Sequence, residues 1–289
     1  MGGGQSSQKQ FHQFKKLRKE QALREMEIYR EHYPDDVDDP GLNENYQFYL
    51  NELASRPNGL LIEDMLSQWW GKYDILETNH DYMPWLVAVS FSALFPMSTV
   101  LSDSHGLFPT RGKSHNPACQ RLQLHEAQSM KQDPVVQARL MRSYKMMLGF
   151  FGLELLDEAK GVVDKAPHWE IRFLNLNRSL HNSMRITRIL KSLGEVGLEH
   201  LKYPLVEFLL KQVLKEKTLS RLEDSLLTYW VHTIRSDDDR RFLLCVAEAV
   251  MDKFVPDAGQ LIEDRRSKED EDKDRTLLRS ALLPATRCT

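Results

Sequence analysis

Cysteine is scarce in this chain of 289 residues: Cys119, Cys245 and Cys288 lie far apart and form no CxxC pair. No disulfide framework or cysteine zinc site fits that pattern, and with no secretory leader ahead of them the reading is a reducing compartment, nucleus or cytosol. A dominant charge is lacking as well. With 39 Lys and Arg against 42 Asp and Glu the net charge is −3, so no global field recruits nucleic acid and any basic site must be local. Alternating runs that would mark strands are missing, as is any tandem repeat, which leaves a solenoid without support. One stretch, Tyr82 to Ser102, is uncharged and long enough to cross a bilayer. Pro84 and Pro96 break it, Ser90, Ser92, Ser98 and Thr99 dilute it and no cationic flank adjoins it, so it reads as a loop or partly buried connection.

The catalytic signatures are missing too. There is no G-x-G-x-x-G, P-loop, G-x-S-x-G or H-E-x-x-H; His125-Glu126 starts like a zinc helix, but Ser129 stands where the second histidine belongs. No catalytic residue, metal or cofactor is expected, and the chain is read as a non-enzyme.

What is present is ordinary globular material, 41% hydrophobic and 28% charged, patterned for helices. Residues 1–10 read as a disordered arm, because nothing apolar follows Met1. From Phe11 to Tyr33 a charged helix carries a thin apolar stripe and stops at Pro34. Ile62, Met65, Leu66, Trp69, Trp70 and Tyr73 then repeat at helical spacing, placing two indoles on one buried stripe. Asp133-Pro134 is an N-cap with proline at the first helical position, opening a helix that Gly152 ends. Asp157 to Lys165 reads as a polar loop. Further helices follow over Trp169 to Asn175, Met184 to Gly194 and Pro204 to Leu214; a capping box at Ser220-Arg221-Leu222-Glu223 opens another, and Asp237 caps the last. The expected architecture is a single all-α domain over 11–256, with an irregular insert at about 87–106 and a charged tail over 257–289.

Two polar groups stand out. Asn175, Asn177, His181 and Asn182 offer donors and acceptors for a polar ligand, though such residues usually cap helix ends. Asp74, Glu77, His80 and Asp81 suggest acid–base work with the same plain alternative. The tryptophans serve a core or an aromatic peptide groove equally well; Trp69, Trp70, Tyr73, Asp74 and His80 are the candidate ligand-binding residues. At the N-terminus, Met1-Gly2-Gly3-Gly4-Gln5-Ser6 fits the pattern for myristoylation of Gly2. The basic run Lys15, Lys16, Arg18 and Lys19 is a second, electrostatic membrane signal or a nuclear-import segment, or simply a solvated helix face.

Two blocks go beyond such patterns. The segments Pro57 to Leu86 and Phe173 to Leu210, the latter containing RITRILKSLGEVGLEH, closely resemble the conserved region of the opioid growth factor receptor family. EMEIYREHYPDD, NYQFYLNEL and RLMRSYKMMLGFFGLEL extend the likeness over roughly Glu25 to Phe254. The resemblance implies an all-α, non-transmembrane receptor for an enkephalin-type peptide, a partner through which cell growth is restrained, located at the nucleus and its periphery and in the cytoplasm. It carries no ligand-binding residues over. A scaffold for other protein partners, nuclear or held at the membrane periphery, is the alternative. Two departures are visible: about twenty residues separate Trp85-Leu86 from Leu107-Phe108-Pro109, with Leu94-Phe95-Pro96 as an alternative match for that segment, and no repeat-bearing region follows the charged tail. The second favours a receptor-like member of the family.

Overall fold

The computed structural model describes residues 3–55, 59–79, 106–112 and 120–251, and among them the protein is helical apart from one hairpin. The insert and the C-terminal tail lie outside or mostly outside these residues. Two compact units divide the chain, 1–240 and 241–289.

In the first unit, the first helix is α1 (Gly3–Arg30). Its buried face is Ala22, Met26 and Tyr29, joined past its end by Tyr33. His32 and Tyr33 take positive φ just before Pro34, which turns the chain out of the helix. α2 (Glu44–Leu50) buries Phe48 and Tyr49. α3 (Ile62–Trp69) buries Ile62, Met65, Leu66 and Trp69. Here the expected stripe is cut short: α3 stops at Trp69, Gly71 turns at φ 72°, and Trp70 is 51% exposed. α4 (Tyr73–Thr78) restarts beyond that turn.

α5 (Leu124–Gln132) opens with a capping box the sequence reading overlooked, in which Gln123 and Glu126 cap one another. The buried Glu126 carboxylate also accepts from Asn45 N at 2.9 Å and Gln120 Nε2 at 2.9 Å, so this residue closes helix ends. α6 (Pro134–Phe151) starts as expected, Asp133 Oδ1 accepting from Val135 N and Val136 N. It ends at Gly152, φ 85°, where a Cβ would come within 2.8 Å of Arg172 Cβ.

The expected polar loop after α6 is instead an antiparallel hairpin, β1 (Leu153–Asp157) with β2 (Val162–Lys165). Asp157 Oδ1 accepts from Ala159 N and Lys160 N and Gly161 sits at φ 69°, so turn chemistry closes the hairpin where the strands are too short and too charged to show alternation.

α7 (Trp169–Arg178) and α8 (His181–Glu195) follow, and Gly197 at φ 87° ends α8 as its position suggests. α9 (Lys202–Leu210) passes into a π turn, Lys211–Lys215. The expected capping box at Ser220 is not formed: a 3-10 turn over Ser220–Leu222 makes no side-chain cap, then α10 (Glu223–Ser225) leads into a second π turn, Leu226–Trp230. Leu222, Leu226 and Trp230 are buried, and their four-residue spacing decides this segment more than its polar start does. α11 (Asp237–Met251) crosses the division between the units. Its cap comes one residue earlier than expected, Ser236 Oγ accepting from Asp239 N. Among the described residues no helix is long and apolar enough to cross a membrane; the uncharged stretch 82–102 lies outside them.

Candidate functional site

α8 is the central helix, buried along most of its length, and its polar residues are buried with its apolar ones. Arg185 donates to the carbonyls of Leu76 at 2.9 Å and Asn79 at 3.3 Å; three residues on, Arg188 Nε donates to Phe108 O at 2.8 Å. Chain that ends helices or runs irregularly carries carbonyls with no backbone donor, and a buried guanidinium supplies several donors at once. One turn further, Lys191 Nζ lies 5.4 and 5.6 Å from the ring centres of Tyr29 and Tyr33, and burial holds its pKa down to about 8.

At the C-terminal end of α8 the helix backbone is bare at Gly194, because Tyr29 Oη would lie 2.2 Å from a Cβ there and Glu199 Oε2 2.7 Å. Tyr29 Oη donates to Lys191 O at 3.1 Å and accepts from Lys202 Nζ at 3.0 Å. Lys202 Nζ also bonds Glu199 at 2.8 Å and the Thr233 carbonyl. Arg235 covers the Tyr29 ring at 4.8 Å and faces Glu195 at 3.5 Å. Burial pushes Glu195 up and holds Lys202 down to about 8. This closed network fastens α1, α8, α9 and the segment before α11.

A second hub joins the two polar groups noted in the sequence. Glu77 on α4 accepts from Asn175 Nδ2 at 2.8 Å and Asn182 Nδ2 at 3.2 Å, and His181 Nε2 lies 2.9 Å from it. Burial alone would raise the Glu77 carboxyl; the bonds from His181, Asn175 and Asn182 outweigh it and bring it down to about 2. Asn177 is not part of this hub and bonds Thr218 O at 2.7 Å instead. The arrangement satisfies an anion with helix-end donors, and it fixes α4 against the α7–α8 corner.

Fixing α4 shapes an open cleft of about 460 Å³, lined by residues 71–75 on one side and by His168, Ile171 and Arg172 on the other. The Tyr73 ring stacks on His168, centres 5.1 Å apart and 20° from parallel, and His168 Nε2 sits 2.8 Å from the Gly149 carbonyl. Arg172 lies over Tyr73 at 5.0 Å and Phe150 at 4.6 Å, while its Nε donates to Phe150 O at 2.6 Å. Partial burial raises the Tyr73 phenol and the Arg172 charge opposes the rise, so the ring is neutral at physiological pH. Apolar surface is exposed beside it: Ile171 is 72% and Leu174 50% exposed on one face of α7.

Of the candidate ligand-binding residues, Tyr73 and Asp74 line the cleft. Trp69 is buried in the core, Trp70 stands exposed just before the turn at Gly71, and His80 lies outside the described residues. Sequence reasoning missed Lys72, His168, Ile171 and Arg172. The only signal in the chain was Ile171, an apolar residue that breaks the polar side of a short helix. On α1, Lys16 is exposed and lies 4.0 Å from Glu20, Lys19 is exposed, and Arg18 is half-buried; the Lys15 side chain and Gly2 lie outside what is described.

The opioid growth factor receptor conserved region matches residues 38–104 and 97–257. The chain belongs to the opioid growth factor receptor family. The two matched segments overlap over residues 97–104. The mouse opioid growth factor receptor is 41% identical over 225 residues, covering 77% of this chain and 32% of the receptor. Mouse opioid growth factor receptor-like protein 1 is 39% identical over 229 residues, 78% of this chain and 45% of that protein, and its Xenopus tropicalis counterpart is 36% identical over 257 residues, 86% and 46%. The chain thus spans between a third and a half of the length of these relatives, and receptor and receptor-like proteins match it almost equally. No solved structure matches it.

Proposed function

We propose that this domain is a non-catalytic binding module for a short peptide of the enkephalin type, acting in negative regulation of cell growth, and that the cleft between α4 and α7 receives one end of the peptide. The observation that carries the reading is the cleft itself: it is open, of side-chain size, and walled by a fixed aromatic ring, exposed apolar residues and charges of both signs. Rigid aromatics give contact area at low entropic cost, and a few polar groups orient what enters. The names of the relatives, opioid growth factor receptor or receptor-like protein, agree with a binding role. Calorimetric titration of the purified chain with enkephalin and with a scrambled peptide of the same composition tests it. Heat from enkephalin alone is expected; equal heats, or none, would overturn the reading.

A second reading is favoured by the exposed Lys16 and Lys19 on α1, whose opposite face is buried. In it the chain is a scaffold in nucleus and cytoplasm, perinuclear or at the membrane periphery, with the N-terminal basic run as import signal or, alongside an acylated Gly2, as membrane anchor. Fractionation of wild type beside Gly2→Ala separates the two anchoring modes. A shift of the variant from membrane to soluble fraction supports acylation, and unchanged partitioning rules it out.

A further inference from the structure

We propose that the peptide donates a main-chain N–H to His168, whose Nδ1 is the fixed acceptor of the cleft. This assignment rests on the peptide-binding reading above and names the contact that orients the ligand. His168 lines the cleft at the start of α7, and its ring is held from two directions. The Tyr73 ring stacks on it, and Nε2 sits 2.8 Å from the Gly149 carbonyl. A carbonyl oxygen only accepts, so Nε2 carries the proton and, in the neutral ring, Nδ1 keeps a lone pair.

Among the described residues nothing uses that lone pair. His168 stands at the N-cap position of α7, where a side-chain acceptor commonly takes a backbone N–H of the first turn, yet it caps nothing. Nδ1 has no other donor in the chain, and it is not one of the buried polar atoms left without a partner. It is an acceptor of set direction, open to what enters the cleft. A ligand that covers it without offering a donor strips its water and leaves it unpaired, which costs more than a hydrogen bond gains. Ile171 lies three residues along the same helix face, 72% exposed, and Ile75 is exposed on the opposite wall. The N–H that reaches Nδ1 therefore belongs to a residue with a bulky apolar side chain, its backbone on His168 and its side chain on the two isoleucines.

Enkephalin and a set of analogues, each N-methylated at one internal amide, test this by calorimetry on the full chain, wild type beside His168→Gln. The glutamine amide can still donate to the Gly149 carbonyl, but the variant has no ring nitrogen in the place of Nδ1. One analogue, methylated at an apolar residue, is expected to bind wild type about tenfold more weakly than enkephalin does. In His168→Gln enkephalin itself is expected to lose about fivefold, and the same methyl group no more than about twofold beyond that. Nitrogen NMR of the wild-type imidazole gives a second readout that a merely structural ring would not move: enkephalin is expected to shift Nδ1 and leave Nε2 in place. Methylation penalties that are absent or equal in the two proteins, or an unmoved Nδ1 resonance, overturn the assignment and leave the peptide reading standing. No binding of enkephalin to wild type overturns both.

Discussion

The Gly194 network and the α4–α7 cleft are made of the same parts, put to opposite ends. Each lays cations on tyrosine rings: Lys191, Lys202 and Arg235 around Tyr29, and Arg172 over Tyr73. Around Tyr29 every neighbour comes from the chain itself, down to a helix glycine that leaves room for the hydroxyl, and Tyr29 is fully buried. Around Tyr73 one side is open. Charge on aromatic rings therefore distinguishes nothing; closure does. A tyrosine enclosed on every side by its own chain holds helices together, whereas Tyr73 stands in the wall of an open cleft.

If closure is the difference, the two regions must respond oppositely to substitution. The largest effect is expected at Lys202→Met, which leaves Glu199, the Thr233 carbonyl and the Tyr29 hydroxyl without their shared donor. Each buried partner left without its donor, the Tyr29 hydroxyl and the Thr233 carbonyl, costs about 1 to 3 kcal/mol, to be read as the shift of a urea unfolding curve. Gly194→Ala follows at about 2 kcal/mol, because the methyl group forces Tyr29 and Glu199 aside. Wild-type stability in either variant would show that the Tyr29 network is as adaptable as the cleft, and the contrast would fail.

Glu77→Gln lies between the regions in place and in size. Its folded carboxyl titrates near 2 against an ordinary 4.5, so its contribution is fully present above 4.5 and is lost as the pH falls toward 2. A loss of about 2 kcal/mol at neutral pH is expected in the variant. Between 4.5 and 2 its unfolding midpoint should also fall less steeply with pH than that of wild type. Parallel curves would mean that Asn175, His181 and Asn182 do not act on this carboxylate.

How much of this could be read beforehand varies with the kind of interaction. The helices over 133–151 and 181–195 follow from local chemistry, Asp133-Pro134, Gly152 and Gly197, and the structure has them where those residues point. The hairpin does not announce itself, because four or five residues of Leu, Val and acids are too few to display a period. The convergence of Asn175, His181 and Asn182 on Glu77 bridges about a hundred residues of sequence, and each of them has an ordinary helix-end explanation when taken alone. The buried charges of α8 run against composition entirely. Arg185 and Arg188 look like a solvated face until the carbonyls they serve, at Leu76, Asn79 and Phe108, are brought beside them. Tyr73 and Asp74 were within reach for the cleft; Arg172 was not, since nothing in one sequence says that α7 lies across from α4.

The smallest stability effect is the sharpest test of the contrast. Ile171 is 72% exposed on the cleft wall, so Ile171→Asp removes little buried surface and should change unfolding free energy by less than about 0.5 kcal/mol. The new carboxylate would replace the apolar surface a peptide would cover. Enkephalin affinity is therefore expected to drop at least tenfold in a protein of unchanged stability, the reverse of Gly194→Ala, which should lose stability without touching the cleft. An Ile171→Asp protein that keeps its affinity would place peptide binding elsewhere on the chain, and a destabilised one would show α7 to be part of the closed core.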